Sequence, residues 1–184
     1  MATYPNKQII LKGHAGSGAR KGVEVVIGGS PTILRDVLCV VTGLGANTVV
    51  TALTNGAVAN IAASLEAVGV NPESLPASAF GTKTKMAVQP LSRSKEGLTF
   101  VIPSGGAAYN AATHDGLSRG VKKDANGFSY VDLTDAANPA VKIIRYADGP
   151  RKDNSGNYGT PKLDGTDTGV LLEVEIIESA AWAG

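Results

Sequence analysis

Between Val37 and Leu65 the chain carries no charged side chain, and no other stretch of its 184 residues restricts the fold as strongly. A charge-free run of this length suggests a membrane span. However, Thr42, Gly43, Gly45, Asn47, Thr48, Thr51, Thr54, Asn55, Gly56 and Asn60 interrupt it, and so many polar and turn-forming residues do not suit a segment surrounded by hydrocarbon. Residues 34–42 and 47–53 read instead as a hairpin around Gly43-Leu44-Gly45-Ala46. It is apolar on both faces and therefore expected at the centre of the fold. Next, Val58, Ile61, Leu65 and Val68 recur at spacings of three, four and three, with alanines at 57, 59, 62, 63 and 67 filling in. This pattern predicts one short amphipathic helix over about 57–68, capped by Asn55 and ended by Gly69, with Pro72 preventing its continuation.

The other signals are short β-rich runs divided by Gly, Asn, Asp and Pro. They fall at 7–12, 22–27, 85–89 and 98–102, and at 121–124 with 128–133 around Asn126-Gly127, a two-residue hairpin signal. The final pair is 141–147 with 169–178. In its last strand Val170, Leu172, Val174 and Ile176 point to the core, whereas Leu171, Glu173, Glu175 and Ile177 make a largely solvated face. Between the two strands, residues 148–168 are dominated by Gly, Asp, Asn, Pro and Lys and predict a long loop, functional or disordered. No repeat is visible at a fixed period, and no shift in composition divides the chain. A chain of this length can bury roughly 70% of its unfolded surface around one core. The expectation is one mostly β domain over 1–184, an antiparallel sandwich or barrel with a single short helix and an extended N-terminal segment over 1–22.

Seventeen basic and sixteen acidic side chains leave a net charge of +1, which argues against a nucleic-acid or membrane-surface partner. A partner is expected to be held by shape and apolar contact. Cys39 is the one cysteine, set among Val37, Leu38, Val40 and Val41, and reads as a buried core residue. Residues 1–8 show no apolar signal core, which predicts synthesis and folding in the cytoplasm. The glycine-rich run 13–22 resembles a phosphate loop but has Ala19 where lysine is required, and Lys21 breaks the dinucleotide pattern. The two histidines, His14 and His114, fall in glycine- or alanine-rich loops without matched metal ligands. Ser104 lacks a nucleophile elbow because Ile102 stands where the first glycine belongs. The aspartates of 148–168 lack calcium-loop spacing and alternate with Arg151, Lys152 and Lys162. Arg119, Lys122 and Lys123 form a short basic cluster followed by Asp124, the pattern of a solvated hairpin edge. No catalytic, cofactor or metal residue is therefore assigned.

The Met1-Ala2-Thr3 opening, runs such as Asn47-Thr48-Val49-Val50-Thr51 and the lack of a catalytic constellation resemble the small virion proteins of tailed bacteriophages. Capsid decoration or cement proteins are the nearer likeness, tail-tube subunits the second. The resemblance implies a protein on the capsid surface, bound to the major capsid protein, tying neighbouring capsomers together and often self-associating as a trimer. It implies neither a cofactor nor a membrane or nucleic-acid partner. On that reading the contacts come from the chain termini and two loops, with His14, Ser17, Arg20 and Lys21 in the first loop and Arg151, Lys152, Tyr158 and Lys162 in the second. Two other classes remain open. A carbohydrate- or host-binding module would use Tyr109, Tyr158 or Trp182, and an enzyme would need His14 or His114 beside an acid.

Overall fold

The computed structural model describes residues 1–5, 9–12, 22–29, 31–43, 47–66, 68, 84–91, 99–147 and 149–182. The strands are β1 (Ile10–Lys12), β2 (Val23–Ile27), β3 (Leu38–Thr42), β4 (Val49–Ala52), β5 (Ile61–Ser64), β6 (Lys85–Pro90) and β7 (Thr99–Gly105). A four-residue helix α1 (Ala111–His114) follows, then β8 (Ser118–Lys123), β9 (Ser129–Asp132), β10 (Val141–Tyr146), β11 (Arg151–Lys152), β12 (Tyr158–Gly159) and β13 (Leu171–Ile176). The protein is mostly β, and its strands close into two barrels. The first has the order β2-β4-β3-β5-β6, and the second is β7-β13-β10-β8-β9, closed by pairing of β9 with β7. No helix among the described residues is long and apolar enough to cross a membrane.

The two barrels have the same topology. In each, the first strand lies parallel to the third, β2 with β4 and β7 with β9, while every other neighbour is antiparallel. In each, an isolated antiparallel bridge ties the link after the first strand to the link after the fourth, Ile33 with Val68 and Asn110 with Asp164. The chain thus repeats one architecture twice, although its sequence shows no fixed period. One trace survives where the third strand ends. Leu53-Thr54-Asn55 follows β4 as Leu133-Thr134-Asp135 follows β9, and both leucines are buried.

Strand periodicity places the core. Val25, Cys39, Val41, Val50, Ala62, Met86 and Val88 belong to the apolar cluster of the first barrel. The opposite faces of β3 and β5, carrying Leu38, Ile61 and Ala63, join the cluster formed by Phe100, Ile102, Val121, Val131, Ile143, Leu172 and Val174 of the second barrel. Hydrogen bonds also cross between the barrels. The Leu38 amide donates to Ser129 Oγ at 2.8 Å, and the Trp182 amide donates to the Ile61 carbonyl at 3.1 Å, which places the indole in the first barrel's cluster.

Four expectations need correction. Among the described residues of 57–68 there is no helix. Asn60 takes a left-handed backbone (φ 58°), and residues 61–64 become strand β5 between β3 and β6. The apparent stripe is split, with Val58 exposed, Ile61 in one cluster and Val68 in the other. Alanine's helix propensity is a weak preference, and the tertiary pairing of a small-residue strand overrides it. Residues 149–168 are not a featureless loop, because β11 pairs with β12. In the last strand Glu173 is buried rather than solvated, held by Thr99 Oγ1 at 2.9 Å and by Arg145 Nε at 2.9 Å. The β10 register shifts between Ile143 and Arg145, and this bulge sets the arginine opposite Glu173. Finally, Asn126-Gly127 does turn a hairpin, but with three loop residues. The Asp124 amide bonds the Phe128 carbonyl at 2.9 Å and Gly127 supplies the left-handed position (φ 87°).

Candidate functional site

Of the eight residues expected to contact a partner, His14, Ser17, Arg20 and Lys21 lie outside the described residues. The other four belong to one structure, the β11–β12 ribbon and the turn after it. Asp153 folds the ribbon's tip. Its amide bonds the Asn157 carbonyl at 2.9 Å, and its Oδ1 accepts from the amides of Ser155 (2.9 Å) and Asn157 (2.8 Å). This is a short polar side chain holding its own turn. The hydrogen bonds from Asn157, with help from Ser155, keep the Asp153 carboxyl below its ordinary pKa. Lys152 lies opposite Tyr158 in the register, so the two project as a cross-strand pair. Lys152 is exposed and Tyr158 is 77% exposed. Lys162 is exposed as well, while its amide donates to Asp167 Oδ2 at 2.9 Å.

Arg151 does not belong on this surface. It is 7% exposed. Its guanidinium donates to the carbonyls of Gly169 and Pro5, the second at 2.9 Å, and lies 5.5 Å from the centroid of the Tyr4 ring. Alternation along a two-residue strand explains the reversal, since Lys152 faces outward and Arg151 must face inward. Burial pushes the guanidinium's pKa down from its usual value. Burial, together with the charges of Asp167 and Asp153, pushes the Tyr4 phenol up. The side chain expected to touch a partner instead anchors the ribbon from within.

The residues of the two other classes fall elsewhere. Tyr109 and Trp182 are buried, so of the three aromatics proposed for ligand binding only Tyr158 is exposed. His114 ends helix α1 rather than lying in a loop, and its ring stacks on Tyr109 at 5.9 Å. Its Nδ1 accepts from the Asn110 amide at 3.0 Å. Asp115 accepts from the Tyr109 hydroxyl, and burial followed by that hydrogen bond pushes the phenol's pKa up. Ser104 is buried within β7. Among the described residues, no three His, Cys, Asp or Glu side chains gather where they could hold a metal ion.

The basic cluster on β8 is partly internal. Lys122 Nζ reaches Asp132 Oδ2 at 2.5 Å, and Asp132 also accepts from the Thr134 hydroxyl (2.7 Å) and amide (3.0 Å). Burial opposes the charge of Asp132, but these donors outweigh it and hold the carboxyl below its ordinary pKa. Residues 1–5, at a terminus counted in sequence among the contact elements, lie along the base of the ribbon. The Tyr4 amide donates to the Thr168 carbonyl at 3.0 Å, and the Thr168 amide returns to Ala2 at 3.0 Å. No sequence motif marks this contact; the one local hint is Asp167, an aspartate that the structure buries. Chemically, the arrangement presents an exposed tyrosine and two lysines on an internally hydrogen-bonded support. No family model, curated protein or solved structure matches the chain.

Proposed function

We propose that this chain is a structural component of a tailed-phage particle, a decoration or cement protein that docks on the outer surface of the capsid shell and bridges neighbouring capsomers. The observation that supports this reading is the ribbon: Tyr158 and Lys152 stand side by side, exposed, on a hairpin anchored through buried Arg151. A large exposed aromatic on a pre-ordered support binds with little entropic loss, and tyrosine is among the residues that dominate protein interfaces. Lys152 and Lys162 add donors for carboxylates at the rim. The partner is the major capsid protein, with self-association, by trimer formation, placing several ribbons on one lattice; nucleic acid and membrane are not partners.

The test is cosedimentation with purified capsids. Tyr158→Ala is expected to weaken binding on the order of tenfold or more, as loss of an interface anchor does, and Lys152→Glu to weaken it further. Unchanged binding by both variants would remove the ribbon from the contact. A second reading, a ring-forming tail-tube subunit, is favoured by one observation. Among the described residues β1 pairs only with β7, and Ile10 on it is exposed, so this strand offers an edge for another chain. Rings or tubes in electron micrographs of the purified protein would support that reading over the first.

A further inference from the structure

We infer that residues 1–5 act as a brace that orders the β11–β12 ribbon, so that docking strength is set by a segment that makes no contact with the partner. The inference rests on the proposed docking role of the ribbon for its consequence, but its physical basis is separate. Contacts from this segment reach the ribbon and its flanks. At the tip, the Asn154 amide donates to the Thr3 carbonyl at 2.8 Å. At the base, Arg151 donates to the Pro5 carbonyl at 2.9 Å while its guanidinium lies over the Tyr4 ring. On the return segment, the Ala2 amide donates to Asp167 Oδ1 at 2.7 Å, the Tyr4 amide donates to the Thr168 carbonyl, and the Thr168 amide donates to the Ala2 carbonyl.

The ribbon by itself has little to hold it. Each strand is two residues long, only two residue pairs are in register, and Tyr158, Lys152 and the tip residues 154–157 are exposed. An isolated two-stranded hairpin is marginal in water. Its apolar support comes from Tyr4, which is 5% exposed, and from the stem of Arg151. Arg151 is therefore a positioning residue. Its Nε has no hydrogen-bond partner among the described residues, so the Tyr4 ring and the two carbonyls carry the stabilisation of a buried cation. Removing the Tyr4 ring opens this site to water and frees the ribbon, while leaving both barrels closed.

The experiment combines hydrogen–deuterium exchange with capsid binding for the full chain, comparing wild type, Tyr4→Ala and Tyr4→Phe. Exchange is read at Gly156 and Asn157, whose amides bond only to Asp153 and do not touch residues 1–5. In Tyr4→Ala these amides are expected to exchange on the order of tenfold faster, with β10 and β13 amides unchanged, as for local opening. Capsid affinity is expected to fall about tenfold, a loss typical of ordering a contact element on binding. Tyr4→Phe keeps the ring and is expected to restore both readouts. Unchanged exchange at Gly156 and Asn157 would overturn the brace, and so would equal acceleration in the barrel strands, which would mean global destabilisation. Faster exchange with undiminished capsid affinity would overturn the coupling to docking. If wild-type protein fails to bind capsids, the docking reading and the coupling fail together, and exchange alone decides the brace.

Discussion

Gly106 gives the sharpest test of how the second barrel is built. It follows β7 with φ 78°, and a Cβ added there would run into Asp132 Oδ1 and meet its Cγ at 3.0 Å. Asp132 cannot easily yield, being 3% exposed and held by Lys122 and Thr134. Gly106→Ala has two separable costs. An alanine in the left-handed region costs about 1–2 kcal/mol. Displacing the carboxylate weakens charge-assisted hydrogen bonds worth about 1.5–3 kcal/mol. The sum, about 2.5–5 kcal/mol, lowers Tm on the order of 10 °C for a chain of this size. Calorimetry, with urea titration at constant m-value, measures it. The decisive comparison is the same substitution in an Asp132→Ala background. There the collision is gone, only backbone strain remains, and the cost is expected to fall to about 1–2 kcal/mol. An equal cost in both backgrounds would refute the assigned collision.

Three further outcomes are expected. Because the folded Asp132 carboxyl titrates below its unfolded value, its stabilisation is complete above the unfolded pKa of about 4 and is lost as pH falls through the lower folded value. Urea midpoints measured from pH 5 to pH 2 should therefore fall less steeply for Asp132→Asn than for wild type, and identical slopes would contradict the assignment. Burial pushes the Cys39 thiol up to about 12, so a thiol-reactive chromophore should label it only in denaturant; rapid labelling of the folded protein would place it elsewhere. Trp182, the one tryptophan, is 7% exposed. Its emission should be blue-shifted in the native state, and Trp182→Ala should cost about 3–5 kcal/mol; a water-like native spectrum would show that the C-terminal segment does not dock.

Strand positions were legible where alternation or turn chemistry was strong. Val170, Leu172, Val174 and Ile176 face the core as their period of two requires, and Asp124 with Gly127 marks the β8–β9 turn. Strand β5 was not legible, because Ile61-Ala62-Ala63-Ser64 is buried throughout. A strand covered on both sides loses alternation, and alanines read as helix. The repeat was hidden for a related reason. Equivalent strands preserve pairing and direction rather than side chains, so Ala62 and Lys142, both on fourth strands, share no chemistry. At the candidate site, composition identified the right stretch but could not orient it. Arg151 and Lys152 look alike in sequence, and only the pairing of β11 with β12 sends one inward and the other outward.

The charge-free stretch from Val37 to Leu65 now has a structural cause. It holds β3, β4 and β5, and two of these strands lie between two apolar clusters. Cys39, Val41 and Ala62 fill the first barrel, while Leu38, Ile61 and Ala63 pack with the second. A charge at Leu38, Cys39, Val41 or any position of β5 would be buried without a partner, which is far costlier than an exposed substitution. The remaining strands have less restriction, as Lys85 on β6 and Glu24 on β2 show by pairing at 3.5 Å in solvent. The barrels therefore share an apolar cluster, with Trp182 reaching back into the first barrel from the end of the second.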